Sequence, residues 1–416
     1  MIKRRLEPII LEMLDNFRIV AINGPRQSGK TTLAKLIAKN KNITYYTFDD
    51  DDIYNTAKLD PNGFISYIAK DNVVIDEVQM VPEVISSIKM QVDEQNKKGM
   101  FLLTGSSDMF KNSKIKESLA GRMVSFNLYP LSYSEINNRD LNVIDKLFSD
   151  DFNYFNIEFE KITNINFVES VINGGYPEIY TLSTKAKYAW FESYIKSRIT
   201  KDVETIGDID INQISSLSKL LQLLAGQISS LVNYKNIADK IKISDKTVRK
   251  YIEILEALYI IKLVPAYSNN QLKRVVKSPK VHFIDSGLAS YLLNVDIDGA
   301  MVKQGAVYGN LVESFVYGEL IKHKSTANKR VNIYHFRDQQ KKEVDFVLEA
   351  SDGKIVALEV KSGSNIKKEY FKGLVALANT IKDKDFKGII LYGGDKIIPY
   401  KIEEYQFWAI PLKIFL

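Results

Sequence analysis

Gly24-Pro25-Arg26-Gln27-Ser28-Gly29-Lys30-Thr31 fits G-x-x-x-x-G-K-[ST], and its flanks place it between a strand and a helix. Arg18 to Ile22 (RIVAI) reads as a short buried strand, and Thr32 to Lys39 (TLAKLIAK) carries apolar residues at helical spacing. A glycine-rich turn in that setting binds phosphate. Its backbone N–H groups converge on the anion at a helix N-terminus, its lysine reaches the β- and γ-phosphates, and its hydroxyl ligates Mg²⁺. The expected nucleotide-binding set is Gly24, Pro25, Arg26, Gln27, Ser28, Gly29, Lys30, Thr31 and Thr32.

Four further apolar runs follow: Ile43–Phe48, Asn72–Ile75, Met100–Thr104 and Met123–Leu128. Helix-compatible stretches separate them, so residues 1–135 read as a parallel α/β sheet. The third strand ends in Asp76-Glu77. An aspartate there holds Mg²⁺ through water, and the glutamate after it polarises the water that attacks the γ-phosphate. An adjacent glutamate with an extra strand before it points to the ATPase division whose sensor strand lies between the two motif strands. Met100–Thr104 is then the sensor strand, with Ser106 (Ser107 as alternative) touching the γ-phosphate or the water. Arg122, in Leu119-Ala120-Gly121-Arg122 just before the fifth strand, is a candidate to neutralise phosphate charge, in cis or across a subunit contact.

The chain has 416 residues, enough for two or three domains. It contains no cysteine, which excludes disulfides, thiolate metal sites and cysteine nucleophiles. Its three histidines (His282, His323, His335) are too scattered to form a zinc site by spacing. No long apolar run supports a membrane span, the amphipathic N-terminus reads as a first helix, and the cytoplasm is the expected compartment. The net charge of +6 is mild, but basic residues cluster after about residue 235 and acidic ones at Asp49–Asp52. That distribution permits nucleic-acid contact.

GPRQSGKTTL, VVIDEVQMVPE, FLLTGSSD and LAGRMVSFNLYPLSYSE together resemble a widespread group of prokaryotic AAA-type ATPases. In that group the ATPase core is followed by a conserved C-terminal region of unknown function. The match recurs at NGGYPE (Asn173–Glu178) and FIDSGLASYLL (Phe283–Leu293), so it spans nearly the whole chain. The resemblance implies ATP and Mg²⁺, a RecA/AAA-like core, and roles for Lys30, Thr31, Asp76, Glu77 and Arg122. An arginine usual before a DV/DI pair is matched only loosely, by Arg198 before Lys201-Asp202-Val203, and is assigned nothing.

Residues 136–210 read as a helical connector or lid, and 211–300 as a winged helix-turn-helix. Leu217–Gln227, Asn236–Ile241 and a third helix to about Tyr259 are followed by the strands Ile260–Ala266 and Val281–Ile284. Ser244 caps the third helix, with Val248, Ile252, Leu255 and Tyr259 in one buried stripe. In a DNA-reading version that helix enters the major groove, presenting Asp245, Lys246, Arg249 and Lys250, with Lys273, Arg274 and Lys277 on the wing.

Residues 301–416 begin with the helix GNLVESFVYGELIKH and become strand-rich at Asn332–Phe336, Glu343–Leu348, Ile355–Val360 and Gly388–Leu391. Asp345 is followed by Glu359-Val360-Lys361. Asp-x13-Glu-x-Lys resembles the restriction-endonuclease-like PD-(D/E)XK core, where an aspartate and a glutamate hold Mg²⁺ and the lysine activates water. Glu313, on the preceding helix, stands where many such nucleases add a carboxylate. The proline usual near the aspartate is absent; Val344 precedes Asp345.

The fold expected is α/β throughout: a P-loop domain, a helical and winged-helix middle, and a nuclease-like C-terminal domain. The function expected is a Mg²⁺-dependent ATPase driving its C-terminal modules. Two alternatives are a nucleotide-dependent regulatory switch with little turnover and an ATP-gated DNA nuclease. Beside ATP, the candidate partners are DNA, another protein or a second copy of the chain, and no membrane.

Overall fold

The structure is a computed structural model, and it describes residues 2–106, 119–149, 164–197, 211–268, 274, 277–302, 305–381 and 384–415. Ser107, Arg198, Lys201-Asp202-Val203, Lys273 and parts of the expected connector lie outside the described residues. By its internal contacts the chain divides into two units. The first comprises residues 1–131 with 176–178 and 257–259; the second holds 132–175, 179–256 and 260–416.

Strand β1 (Ile19–Asn23) is buried at every position, and its alternate residues enter two different cores. Ile19 and Ala21 join Val73, Ile75, Phe101 and Leu103; Val20 and Ile22 join Val74 and Leu102. Successive side chains of a strand point to opposite faces, so a sheet apolar on both faces must be covered on both. Helices α1 (Leu6–Asn16) and α2 (Lys30–Lys41) cover one face through Leu6, Ile10, Leu33 and Ile37. Helices α3 (Asp51–Leu59), α4 (Pro61–Ile68) and α5 (Val84–Gln95) cover the other through Ala57, Ile65 and Ile88.

The first unit thus contains a five-stranded parallel sheet. Its order is β2 (Thr44–Thr47), β3 (Val73–Asp76), β4 (Phe101–Gly105), β1 and β5 (Met123–Asn127). β4 lies between β1 and β3, the order expected from the adjacent Asp76-Glu77. The acidic run Asp49–Asp52 has a local explanation. Asp50 caps α3 by accepting from the N–H groups of Asp52 and Ile53, and Asp51 and Asp52 fill the first turn, where negative charge suits the helix dipole.

In the second unit, α6 (Ile211–Gly226), α7 (Tyr234–Ile241) and α8 (Asp245–Ala257) precede an antiparallel pair, β6 (Ile261–Val264) and β7 (Lys280–Phe283). Ser244 Oγ accepts from Thr247 N–H at 3.1 Å, capping α8 as its sequence position implied. Asp285 accepts from the N–H groups of Gly175 and Leu288, tying FIDSGLASYLL to NGGYPE.

Helix α9 (Ala306–Lys324) is buried on almost every side and carries Glu313. The six-stranded sheet that follows contains β8 (Val331–Arg337), β9 (Glu343–Ala350) and β10 (Ile355–Lys361), which pair antiparallel. Helix α10 (Lys372–Thr380) packs Leu374 and Leu377 on one face. β11 (Phe386–Tyr392) and β13 (Tyr405–Pro411) continue in parallel, and β12 (Ile398–Ile402) closes the edge. The β12–β13 hairpin was not expected from sequence: Ile398, Tyr400 and Ile402 alternate, but Pro399, which cannot donate to a ladder, stands within the run.

Candidate functional site

The loop after β1 is shaped for close backbone approach. Gly24 has φ +147°, and a Cβ there would lie 2.2 Å from the Leu128 carbonyl oxygen; Gly29, the N-cap of α2, has φ +95°. Only glycine adopts such backbones at low cost. Lys30 is buried, and its Nζ donates to the carbonyls of Gly24 (3.1 Å) and Pro25 (2.8 Å), so its charge faces the concavity of the loop. Ser28 Oγ and, just before the loop, Asn23 Oδ1 are buried without hydrogen-bond partners. Buried polar atoms are nearly always paired, so these two mark a place where a polar ligand fits.

Beside the loop, Thr31 Oγ1 donates to Asp76 Oδ2 at 2.8 Å. Asp76 is fully buried at the end of β3, and its carboxylate also accepts from the hydroxyls of Tyr45 (2.7 Å) and Thr104. Burial, then the Asp76 carboxylate, hold the Tyr45 hydroxyl protonated far above the usual phenol range. A hydroxyl and a carboxylate at this spacing are the donor set of Mg²⁺, which takes oxygen ligands and keeps several waters. The residues therefore fit a Mg²⁺–nucleotide.

Glu77 sits in the left-handed region (φ 56°, ψ 41°), rare for a non-glycine residue. Its N–H donates to Thr104 Oγ1 at 3.1 Å, which helps hold that conformation. Its carboxylate accepts from Gln79 Nε2, which also donates to Ser106 Oγ at 3.0 Å. Gln79 thus clamps the expected water-positioning residue to the expected sensor residue, while its own Oε1 is buried without a partner. Tyr45, Thr104 and Gln79 were missed in the sequence. Thr104 and Gln79 lie beside recognised motifs; Tyr45 has no local signal and reaches Asp76 only because β2 pairs with β3.

Arg122 is not brought to the loop. It precedes β5, and its carbonyl accepts from Ile19 N–H at the start of β1, whereas the loop leaves the other end of that strand. Its guanidinium is bidentate on Asp93 (2.5 and 2.7 Å). A parallel sheet separates its amino and carboxyl ends by the length of the strands, so as folded Arg122 serves Asp93, and its expected role across a subunit contact is untouched by this placement.

The second unit brings Glu313, Asp345, Glu359 and Lys361 together. Asp345 Oδ2 accepts from Val360 N–H at 2.9 Å, and Lys361 Nζ lies 2.6 Å from Glu359 Oε1. A further residue stands among them. Lys280, from β7, places Nζ 3.0 Å from both Glu313 Oε1 and Asp345 Oδ1. Burial disfavours its charge, but the two carboxylates outweigh burial and hold it protonated. Burial, then Asp345, push Glu313 and Glu359 above the usual carboxylate range. Among the described residues, no three His, Asp or Glu side chains are grouped to hold a metal ion.

Near α8, a cleft of about 800 Å³ is lined by residues that include Tyr234, Arg249, Lys277 and Tyr334. Arg249 stacks on Tyr234 at 3.8 Å. Arg274 is committed elsewhere: it is bidentate on Glu349 (2.6 and 3.2 Å) and packs on Tyr267 and Tyr334.

Residues 16–137 match the family model of an AAA domain. Residues 164–298 and 308–415 match two domains of unknown function, DUF8612 and DUF4143. An uncharacterized protein of Mycobacterium tuberculosis is 27% identical over 350 residues, covering 83% of this chain and 70% of that protein. One from Methanocaldococcus jannaschii is 24% identical over 413 residues, covering 96% of this chain and 85% of that protein. Among solved structures, the Walker-type ATPase of Pyrococcus abyssi aligns over 70% of this chain and 96% of that one, with 13% identity and a TM-score of 0.43. The phosphate loop, the sheet order and the AAA-domain match define residues 16–137 as an AAA-type P-loop ATPase domain. Among the described residues no helix is long and apolar enough to cross a membrane.

Proposed function

We propose that the protein is a Mg²⁺-dependent ATP hydrolase. One observation carries the reading: Thr31 and Asp76 meet at 2.8 Å beside the phosphate loop, with Glu77 next along the strand end. Bound Mg²⁺ would neutralise charge on the β- and γ-phosphates. Lys30 Nζ would exchange its loop carbonyls for phosphate oxygens, and Thr31 and Asp76 would hold the cation. Glu77 orients the attacking water and accepts its proton, and Ser106 donates to the γ-phosphate. Lys30→Ala should abolish phosphate release, and Glu77→Gln should slow it by orders of magnitude while nucleotide stays bound. Absence of turnover with any DNA or protein present would sink the enzymatic reading.

In the second unit we infer a winged helix from α6, α7, α8 and the β6–β7 pair, followed by a nuclease-like domain from α9 onward. Hydrolysis would drive their rearrangement, with Lys246, Arg249, Lys250 and Lys277 as the DNA-facing cations. The regulatory-switch reading draws support from the Gln79 clamp on Glu77, which favours slow turnover. The ATP-gated nuclease reading draws none from the cluster as folded, because an ammonium stands among its carboxylates.

A further inference from the structure

The cleft of about 800 Å³ in the second unit has two walls of different origin. One is helical: Tyr234 opens α7 and Arg249 lies on α8. The other belongs to the six-stranded sheet, with Tyr334 from β8 and Glu349 from β9. Both tyrosines are set against arginines. The Arg249 guanidinium lies 3.8 Å from the centroid of the Tyr234 ring. Tyr334 is held from several sides: its hydroxyl accepts from Arg274 Nη1 at 2.9 Å, that guanidinium packs 4.6 Å from its ring, and Tyr267 meets it edge-on at 5.8 Å.

Charge along the cleft is one-sided. Among the described residues Glu349 is the only acidic side chain that lines it, and Glu349 accepts from both Arg274 (2.6 Å) and Lys384 (3.0 Å). Arg249 and Lys277 also line it, are exposed, and form no ion pair among the described residues. The space therefore joins aromatic surfaces to cations that no carboxylate answers. Bases stack on aromatic rings, and the backbone that links them brings phosphates.

We propose that this cleft takes single-stranded nucleic acid, with bases stacked at Tyr234 and Tyr334 and phosphates at Arg249 and Lys277. The inference deepens the DNA-facing reading of α8 and rests on it, but not on ATP hydrolysis. A duplex suits the geometry poorly. A helix that reads the major groove must stand clear of its own domain to enter it. Arg249 instead lines a space whose far wall is β8 and β9. Pockets of about 300–1,000 Å³ hold one drug-sized molecule, so this one suits about one or two nucleotides of a strand.

The test is fluorescence anisotropy with full-length protein, without ATP, on a labelled oligothymidylate of about 12 nucleotides, alone and as its duplex. The single strand should bind at least about tenfold more tightly than the duplex. Tyr234→Leu should weaken that binding about tenfold and Tyr234→Phe should preserve it, because stacking needs the ring and not the hydroxyl. Lys277→Ala should reduce the slope of log affinity against log salt by about 0.7, the share of one phosphate contact on a single strand. A duplex that binds as tightly, single-strand binding indifferent to Tyr234→Leu, or equal displacement of the strand by polyglutamate would each overturn the proposal. If duplex binding is then lost on Lys246→Glu with Lys250→Glu, which lie outside the cleft lining, the DNA-facing reading stands without it. Binding of neither form overturns both. Should Tyr234→Leu melt without cooperativity, Arg249→Ala carries the same expectation, and unaltered single-strand binding there overturns the proposal equally.

Discussion

Replacing Gln79 by Met should make the ATPase faster. Gln79 donates one bond to the Glu77 carboxylate and one, at 3.0 Å, to Ser106. Both acceptors have other work when nucleotide is present: Glu77 must face water, and Ser106 must turn to the γ-phosphate. Releasing a hydrogen bond to a charged group costs about 1.5–3 kcal/mol. At about 1.4 kcal/mol per decade, the clamp slows turnover by about ten- to a hundredfold. Met keeps the approximate volume of the side chain and removes Gln79 Oε1, buried without a partner, which costs about 1–3 kcal/mol as an unsatisfied acceptor. The variant should therefore fold as stably as the parent or slightly better. The assay is phosphate release under steady-state conditions, with kcat and KM separated and thermal melting in parallel. A fall in kcat with melting unchanged would refute the clamp and make Gln79 a residue that positions Glu77 for reaction.

Arg122→Ala should leave nucleotide affinity unaltered when measured by fluorescence titration in dilute protein; a weakened affinity there would contradict its placement at the amino end of the sheet. Arg249→Glu with Lys250→Glu should abolish any salt-sensitive DNA binding, and binding that persists in gel shifts removes α8 as the DNA-facing helix. His335 gives a pH signature. Burial, then Lys280, depress its pKa from 6.5 to about 4, so the folded state binds fewer protons and the stabilisation is complete above pH 6.5. As pH falls through 6.5 toward 4 the contribution is lost. The stability advantage of the parent over His335→Gln in urea should therefore shrink by about 2 kcal/mol between pH 7 and pH 4.5. An advantage independent of pH would show that His335 is not held neutral.

Much of the first unit was legible because its signals are local. A phosphate loop is eight consecutive residues, and the strands Val73–Asp76 and Phe101–Gly105 are short apolar runs with motif residues at their ends. The edge hairpin of the second sheet was not, since Pro399 within Ile398–Ile402 argues against a strand. Arg122 illustrates what a local signal leaves open. A lone arginine before a strand invites a phosphate role, but which end of a parallel sheet it occupies depends on strand direction, and that places it with Asp93.

By itself the sequence singled out the candidate residues for phosphate and Mg²⁺, since Lys30 and Thr31 belong to one loop and Asp76-Glu77 to one strand end. It also placed Asp345, Glu359 and Lys361 on a hairpin, because antiparallel neighbours have fixed register. What only the tertiary structure decided is who else stands in each site. Tyr45 reaches Asp76 from 31 residues away, Gln79 joins Glu77 to Ser106 across two strands, and Lys280 enters the carboxylate cluster from 65 residues before Asp345. Side-chain contact across such separations follows from how sheets and helices pack, and no spacing rule in a linear chain encodes it.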